Sequence, residues 1–240
     1  MKRMLSARTI AALASMVALA DCDTAQGRPS RTSTVPAPSE VVEFRALYAG
    51  SCAGCHGREG HGGAAISLAD PVYLAIADDA AIRSAIANGV RGTAMPAFSP
   101  KGGGMLTDAQ IDVLSAGIGA WRRPGVLDGA HAPSYAAKAP GDPNRGEEAY
   151  GVFCASCHGP RGEGGAKGSS ITNDSFLALV SDQGLRTLII AGRPELGAPG
   201  WRGYVPGRPM SDEDVTNVVA WLASRRVSTP GRPYPNDTAR

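Results

Sequence analysis

The 240-residue sequence predicts an all-α chain built of two tandem helical domains. Three observations carry that expectation: an internal repeat about a hundred residues in period, helix start and stop signals that recur in both copies, and no alternating strand pattern to compete with them. Aromatic residues make up only 5% of the chain, so each unit has a thin core and needs a staple such as a metal or a large apolar cofactor.

The first 21 residues have the parts of an export signal. Lys2, Arg3 and Arg8 give a cationic start, and the apolar run of residues 10–20 is too short to span a bilayer. Two processing readings stay open. Ala18-Leu19-Ala20 resembles an A-x-A cleavage site, whereas Leu19-Ala20-Asp21-Cys22 resembles a lipoprotein box with Cys22 as the lipid-bearing residue, although Asp21 stands where that pattern has Gly, Ala or Ser. Residues 22–39 are rich in Ser, Thr and Pro and read as a flexible tether.

The repeat pairs residues 52–98 with residues 154–201, at an offset of 102 and then, after one inserted residue, of 103. Among the matches are Cys52/Cys154, Cys55/Cys157, His56/His158, Gly57/Gly159, Leu74/Leu177, Arg83/Arg186, Gly89/Gly192 and Pro96/Pro199. The expected domains are residues 40–121 and 143–226, joined by a Pro-, Gly- and Ala-rich strap over 122–142 and followed by a tail from 227.

Each domain shows the same order of elements. A first helix, over residues 40–50 or 143–152, runs into the Cys motif, and a Gly-rich loop follows it. A middle helix starts near Asp78 or Ser181, carries Ile82, Ala85, Ile86 or Leu185, Leu188, Ile189 at helical spacing, and stops at Gly89 or Gly192. The last helix is the best punctuated: Thr107 and Gln110 form a capping box before Ile111, Leu114 and Ile118, and Ser211 and Asp214 do so before Val215, Val218 and Leu222.

Two C-x-x-C-H motifs carry the chemistry, Cys52-Ala-Gly-Cys55-His56 and Cys154-Ala-Ser-Cys157-His158. Cysteines three apart at a helix end put two sulfurs on one side, where they can add to the two vinyl groups of haem, and the next residue turns its imidazole to the iron. A redox dithiol or half a zinc site needs no His directly after the second Cys, and two Cys plus one His give three zinc ligands rather than four. Structural disulfides Cys52–Cys55 and Cys154–Cys157 are permitted by export, but leave both histidines unexplained. The motifs therefore point to two covalent haem c groups, each with its iron on a histidine.

On these residues, with the Met-Pro loop and final helix that follow, the chain resembles the class I c-type cytochromes, specifically the tandem two-haem members that serve respiratory chains. The resemblance covers residues 40–121 and 143–226. It implies that a Met on the loop before the last helix takes the sixth iron position. Thr93-Ala94-Met95-Pro96 matches, 39 residues after His56, so Met95 is the expected distal ligand of the first haem and Met105, which abuts the helix cap, the weaker rival. A thioether favours ferrous iron and raises the potential.

The second repeat departs from the pattern, because Met95 aligns with Ala198, and Ala cannot bind iron. Met210 directly precedes the Ser211 cap and aligns with Leu106, a position suited to a hydrophobic staple against Val215; it is the alternative sixth ligand, with Lys167 and Tyr204 as lesser ones. The resemblance also implies a first-to-last helix crossing of a small residue on an aromatic one. Gly146 would face Trp221, and Phe44 would face Gly117 with small and large exchanged. Tyr48 and Tyr150 read as packing residues, and His61 and His131 as solvent-facing.

The formal charge is +2, from 24 basic and 22 acidic residues; loss of Lys2, Arg3 and Arg8 leaves 21 against 22, or −1, with no basic stripe for nucleic acid. The resemblance implies electron transfer on the periplasmic side of a bacterial membrane, between a quinol-oxidising complex and a terminal oxidase or other cytochrome, as a free or lipid-anchored carrier or as a complex subunit. The alternative is a haem enzyme or ligand sensor that uses an open sixth position on the second haem.

Overall fold

The computed structural model describes residues 36–230; the export signal, Cys22, most of the tether and the end of the tail lie outside the described residues. In the first repeat the order is α1 (Phe44–Ser51), α2 (Ala53–His56), α3 (Pro71–Ile76), α4 (Asp79–Asn88) and α5 (Asp108–Gly119). The second repeats it as α6 (Pro143–Phe153), α7 (Ala155–His158), α8 (Asp174–Leu179), α9 (Asp182–Ala191) and α10 (Asp212–Ser224). All of these elements are helical, and among the described residues the one β-type pairing is an isolated bridge between Arg193 and Ala198.

The helix ends follow from side chains. Both capping boxes form: the Thr107 hydroxyl accepts from Gln110 N while Gln110 accepts from Thr107 N, and Ser211 and Asp214 do the same. The first helix begins at Phe44, later than the expected residue 40, because the Glu43 carboxylate accepts from Arg45 N and Ala46 N and so starts the helix there. The middle helices are capped by Asp78 and Ser181 and end at Gly89 and Gly192, as expected. Those two glycines have φ of 66° and 76°, and a Cβ on either would fall within 2.6 Å of the backbone of the following loop, so only Gly fits.

Helices α3 and α8 were not expected. They are one and a half turns long, too short for a periodic signal, and are started by Asp70 before Pro71 and by Asn173. An arginine beyond the last helix braces each of them. Arg122 donates to Leu74 O and Ala77 O and pairs with Asp79, and Arg226 donates to Leu177 O and Val180 O and pairs with Asp182. These carbonyls are the ones a helix C-terminus leaves unpaired.

First and last helices cross where expected, by close approach at a glycine. A Cβ on Gly117 would fall 2.0 Å from the Phe44 ring, and one on Gly146 2.0 Å from Asn217 O and 2.7 Å from Trp221 Cβ. Each repeat has its own core, one around Leu47, Leu74, Ile86, Ile111 and Leu114, the other around Tyr150, Leu177, Ile190, Val215 and Trp221.

The connector is more structured than a strap. Pro133 is buried, and Arg186, 2% exposed, donates from Nε to Ser134 O (2.9 Å) and Tyr135 O (3.1 Å), from Nη1 to Thr216 Oγ1 (2.8 Å) and from Nη2 to Asp212 (2.6 Å). The Ser134 amide and hydroxyl also donate to Asp212. The Tyr135 ring meets Tyr73 of the first repeat at 6.5 Å between centroids, and α3 packs on α9 directly, with Val72 and Ile76 against the second core and Ala191 against the first. Among the described residues no helix is long and apolar enough to cross a membrane.

Candidate haem-attachment sites

The two C-x-x-C-H motifs fold into the same turn. In each, the first helix ends at the first cysteine, whose amide bonds back to a tyrosine carbonyl (Cys52 N to Tyr48 O, Cys154 N to Tyr150 O), and a four-residue helix carries the second cysteine and the histidine. The tyrosine then latches the turn from the other side: Tyr48 Oη donates to Gly57 O at 3.0 Å and Tyr150 Oη to Gly159 O at 2.5 Å. Burial pushes both phenols up to about 12, so they stay protonated donors.

The histidines are fixed by backbone. His56 Nδ1 lies 2.9 Å from Ile66 O and His158 Nδ1 2.7 Å from Ser169 O. A carbonyl can only accept, so Nδ1 carries the proton and Nε2 presents its lone pair, the tautomer an iron-binding imidazole requires. Burial also lowers the His56 pKa, which keeps that ring neutral.

All four motif cysteines are free thiols. Cys52 and Cys154 are buried within the two apolar cores, and burial raises their thiols to about 11 and about 12; Cys55 is exposed and Cys157 half-buried. One thiol in the core and one at its edge, beside a histidine whose Nε2 is left to bind, fit the two thioether bonds and the iron ligand that a covalent haem would need. Among the described residues no three His, Cys, Asp or Glu side chains converge as a metal site, so neither motif is completed into a zinc tetrad.

Met95 is half-buried on the loop between α4 and α5, where Met95 N donates to Thr93 Oγ1 (3.1 Å) and Met95 O accepts from Val90 N (3.1 Å). Its rival Met105 is 93% exposed. In the second repeat Ala198 occupies the same place on the loop, with Ala198 O accepting from Arg193 N at 2.9 Å. Met210 N donates to Trp201 O as Leu106 N does to Phe98 O, both at 2.9 Å, and the Met210 side chain is buried in the core that holds Val215. Lys167 is exposed on the loop that holds His158, the Tyr204 hydroxyl is engaged with Ile189 O at 3.0 Å, and His61 and His131 are exposed. Sequence reasoning missed the orienting carbonyls of Ile66 and Ser169, since a backbone oxygen leaves no residue-type signal.

Among solved structures, the chain is similar to one in the Kuenenia stuttgartiensis reducing HAO-like protein complex, with a TM-score of 0.43 and 19% identity over 80% of this chain and 100% of that one. It is also similar to the thiosulfate dehydrogenase TsdBA of Marichromatium purpuratum, with a TM-score of 0.29 and 20% identity over 81% of this chain; it spans about half (48%) of that longer one. At these scores neither likeness bears on activity. No curated protein matches the sequence significantly. The family model described as cytochrome c oxidase, cbb3-type, subunit III matches twice, over residues 39–116 and 141–222, once for each repeat. With both matches covering the turns just described, the chain belongs to that family and consists of two tandem cytochrome c domains, which imply covalently bound haem c.

Proposed function

We propose that this protein is a two-haem electron carrier or electron-transfer subunit on the periplasmic side of a bacterial membrane, working between a quinol-oxidising complex and a terminal oxidase or other cytochrome. The observation that carries the reading is the duplicated turn in which a backbone carbonyl holds Nδ1 of His56 and of His158. When bound there, haem c supplies one-electron chemistry at iron.

The chain's own residues do the rest. Cys52, Cys55, Cys154 and Cys157 would hold the two groups, His56 and His158 would hold the irons, and Met95 would supply the sixth ligand of the first. The tyrosine latches and the Gly117 and Gly146 crossings keep each histidine in one place as its surroundings change charge, which keeps rearrangement on electron transfer small. The export signal over residues 1–21 supports the periplasmic side, and Cys22 a lipid anchor.

A second reading, a haem enzyme or small-ligand sensor, is favoured by one observation: Ala198 offers no donor where the first repeat has Met95. Against it, no acid–base pair stands on the Ala198 loop beyond Glu195, which is engaged by Arg193. Mass spectrometry of the denatured mature protein should find two covalent haems. A redox titration should then resolve two one-electron steps, and a chain without retained haem refutes the proposal. Carbon monoxide binding to one haem, without peroxidase turnover, separates carrier from enzyme.

A further inference from the structure

The loop that bears Ala198 is held differently from its counterpart. In the first repeat Val90 N donates to Met95 O, while Met95 N turns to Thr93 Oγ1. In the second the pairing is reciprocal, Arg193 N to Ala198 O at 2.9 Å and Ala198 N to Arg193 O at 3.0 Å. The residue that makes this bridge then leaves its own repeat. Arg193 Nη2 donates to Gly63 O of the first domain at 3.1 Å, and its Nε pairs with Glu195 at 2.5 Å, with the arginine side chain only 18% exposed. Val90, in the same column of the first repeat, has no such reach.

Gly63 is part of the first attachment turn. A Cβ on it would fall 2.1 Å from Cys55 O and 2.6 Å from the His56 carbonyl carbon, and Ala65 N just beyond it donates to Cys55 O. Ile66, whose carbonyl orients His56, lines a small cleft together with Ala191, Gly192 and Arg193. A single guanidinium therefore connects the backbone that carries the first histidine to the backbone that carries Ala198.

We propose that Arg193 is a positioning residue that pins the Ala198 loop to the haem-attachment turn of the first domain, so that the first domain sets the surroundings of the sixth position on the second haem. This rests on the two-haem reading. A loop without an iron–sulfur bond needs another anchor, and a charge-assisted hydrogen bond in a low-exposure contact supplies one. The anchor acts chiefly on the second haem, because the first domain's loop is also fixed within its own repeat by Thr93, and the turn around Gly63 by Ala65 N donating to Cys55 O.

The test uses the full-length haem-loaded protein, as wild type and as Arg193→Gln, Arg193→Lys and Glu195→Gln. Arg193→Gln should lower hydrogen-exchange protection of the Ala198 amide about tenfold, the equivalent of one lost charged hydrogen bond. It should also change the carbon monoxide association rate of the second haem by about threefold or more and move the lower of the two potentials, with a clearly smaller shift at the first haem, whose turn loses only one donor to Gly63 O. Arg193→Lys, which keeps a cationic donor for Gly63 O, should recover most of both effects. Wild-type protection and carbon monoxide kinetics in Arg193→Gln overturn the proposal, as does an equal shift at both haems with a general fall in melting temperature. Should Arg193→Gln fail to fold, Glu195→Gln, which loosens the arginine without removing it, must move the same readouts in the same direction, and no movement overturns the proposal. Haem stoichiometry measured on the same wild-type sample separates this failure from failure of the two-haem reading.

Discussion

Arg83 and Arg186 occupy one column of the repeat and pair with the first residue of the last helix, Asp108 or Asp212, but only the second pair is covered by the connector. Replacing each by Met gives a matched experiment. Arg83 is 42% exposed and its partners Asp108 and Asp112 are 83% and 60% exposed, so solvent screens both pairs and its loss should cost little. Arg186 is 2% exposed and its removal strands Ser134 O, Tyr135 O and the Asp212 carboxylate. Asp212 remains 36% exposed and keeps both Ser134 donors, which places the cost at the lower end for a broken buried pair, about 3 kcal/mol. For a chain of this size that lowers the melting temperature by about 6–12 °C, with a much smaller fall for Arg83→Met. The assay is thermal melting of the haem-loaded protein followed by far-ultraviolet circular dichroism. The pH dependence has a definite sign. Burial raises the Asp212 pKa, but the Ser134 amide and hydroxyl and the Arg186 guanidinium outweigh it and hold the group below the ordinary 3.8. The stabilisation is therefore complete above that value and is lost as pH falls through the folded pKa, so wild type and Arg186→Met should converge in acid. Equal, small effects of the two substitutions, or a gap that widens in acid, would refute the argument that Arg186 fastens the connector.

Ala198→Met should raise the lower potential, on the order of 100 mV within the wide range axial ligands span, and suppress carbon monoxide binding, while Met95→Ala should make the first haem resemble the second; two Met-type spectra in the wild type would mean that Met210 has reached the iron. Gly146→Ala should destabilise by about 1–3 kcal/mol or prevent folding, and by more than Gly117→Ala, because its Cβ meets the fixed backbone of α10 rather than a ring that can shift; denaturant unfolding of the two variants measures the order. If Cys22 carries the proposed lipid anchor, Cys22→Ser should release the protein from the membrane fraction, and unchanged fractionation would point to simple cleavage after Ala20 or to anchoring by a partner.

The parts of the fold that depend on neighbours in sequence were legible. Thr107 and Ser211 cap their helices because the hydroxyl, the amide it accepts from and the side chain that reaches back all lie within four residues. Gly89 and Gly192 were readable as helix stops, although the reason for glycine, the pressure of the following loop, was not. What stayed hidden joins residues far apart. Ser134 reads as one more polar residue in a Pro- and Ala-rich stretch, and only its contact with Asp212, 78 positions on, makes it part of the second domain. The brace formed by Arg122 and Arg226 escaped for a related reason, since its partners are main-chain oxygens 45 to 49 residues away. At the candidate attachment sites C-x-x-C-H marks the residue types from neighbours in sequence, whereas the tautomer of each histidine depends on Ile66 O and Ser169 O, which no residue type announces.

The two repeats solve one packing problem with different residues, which identifies what is being held constant. Tyr48 and Tyr150 both donate to the carbonyl of the glycine that follows the motif histidine, so each ring must be covered and unable to swing away. In the second repeat the cover is Trp221, on the last helix, stacked on Tyr150 at 4.3 Å and 26°, with Gly146 supplying the room beneath it. In the first repeat that helix position is Gly117, so its indole cannot come from there. Trp121, just beyond the helix, meets Tyr48 edge-on at 5.3 Å, and Phe44 fills the space over Gly117 while touching both rings at 5.6 and 5.5 Å. Aromatic contacts of either geometry are favourable, so the exchange of stacking for edge-to-face packing changes little energetically. What survives the exchange is an indole against a tyrosine whose hydroxyl latches the histidine turn. That latch is the element common to both domains, and the loops before the last helix, with Met95 in one and Ala198 and Arg193 in the other, are where the copies have parted.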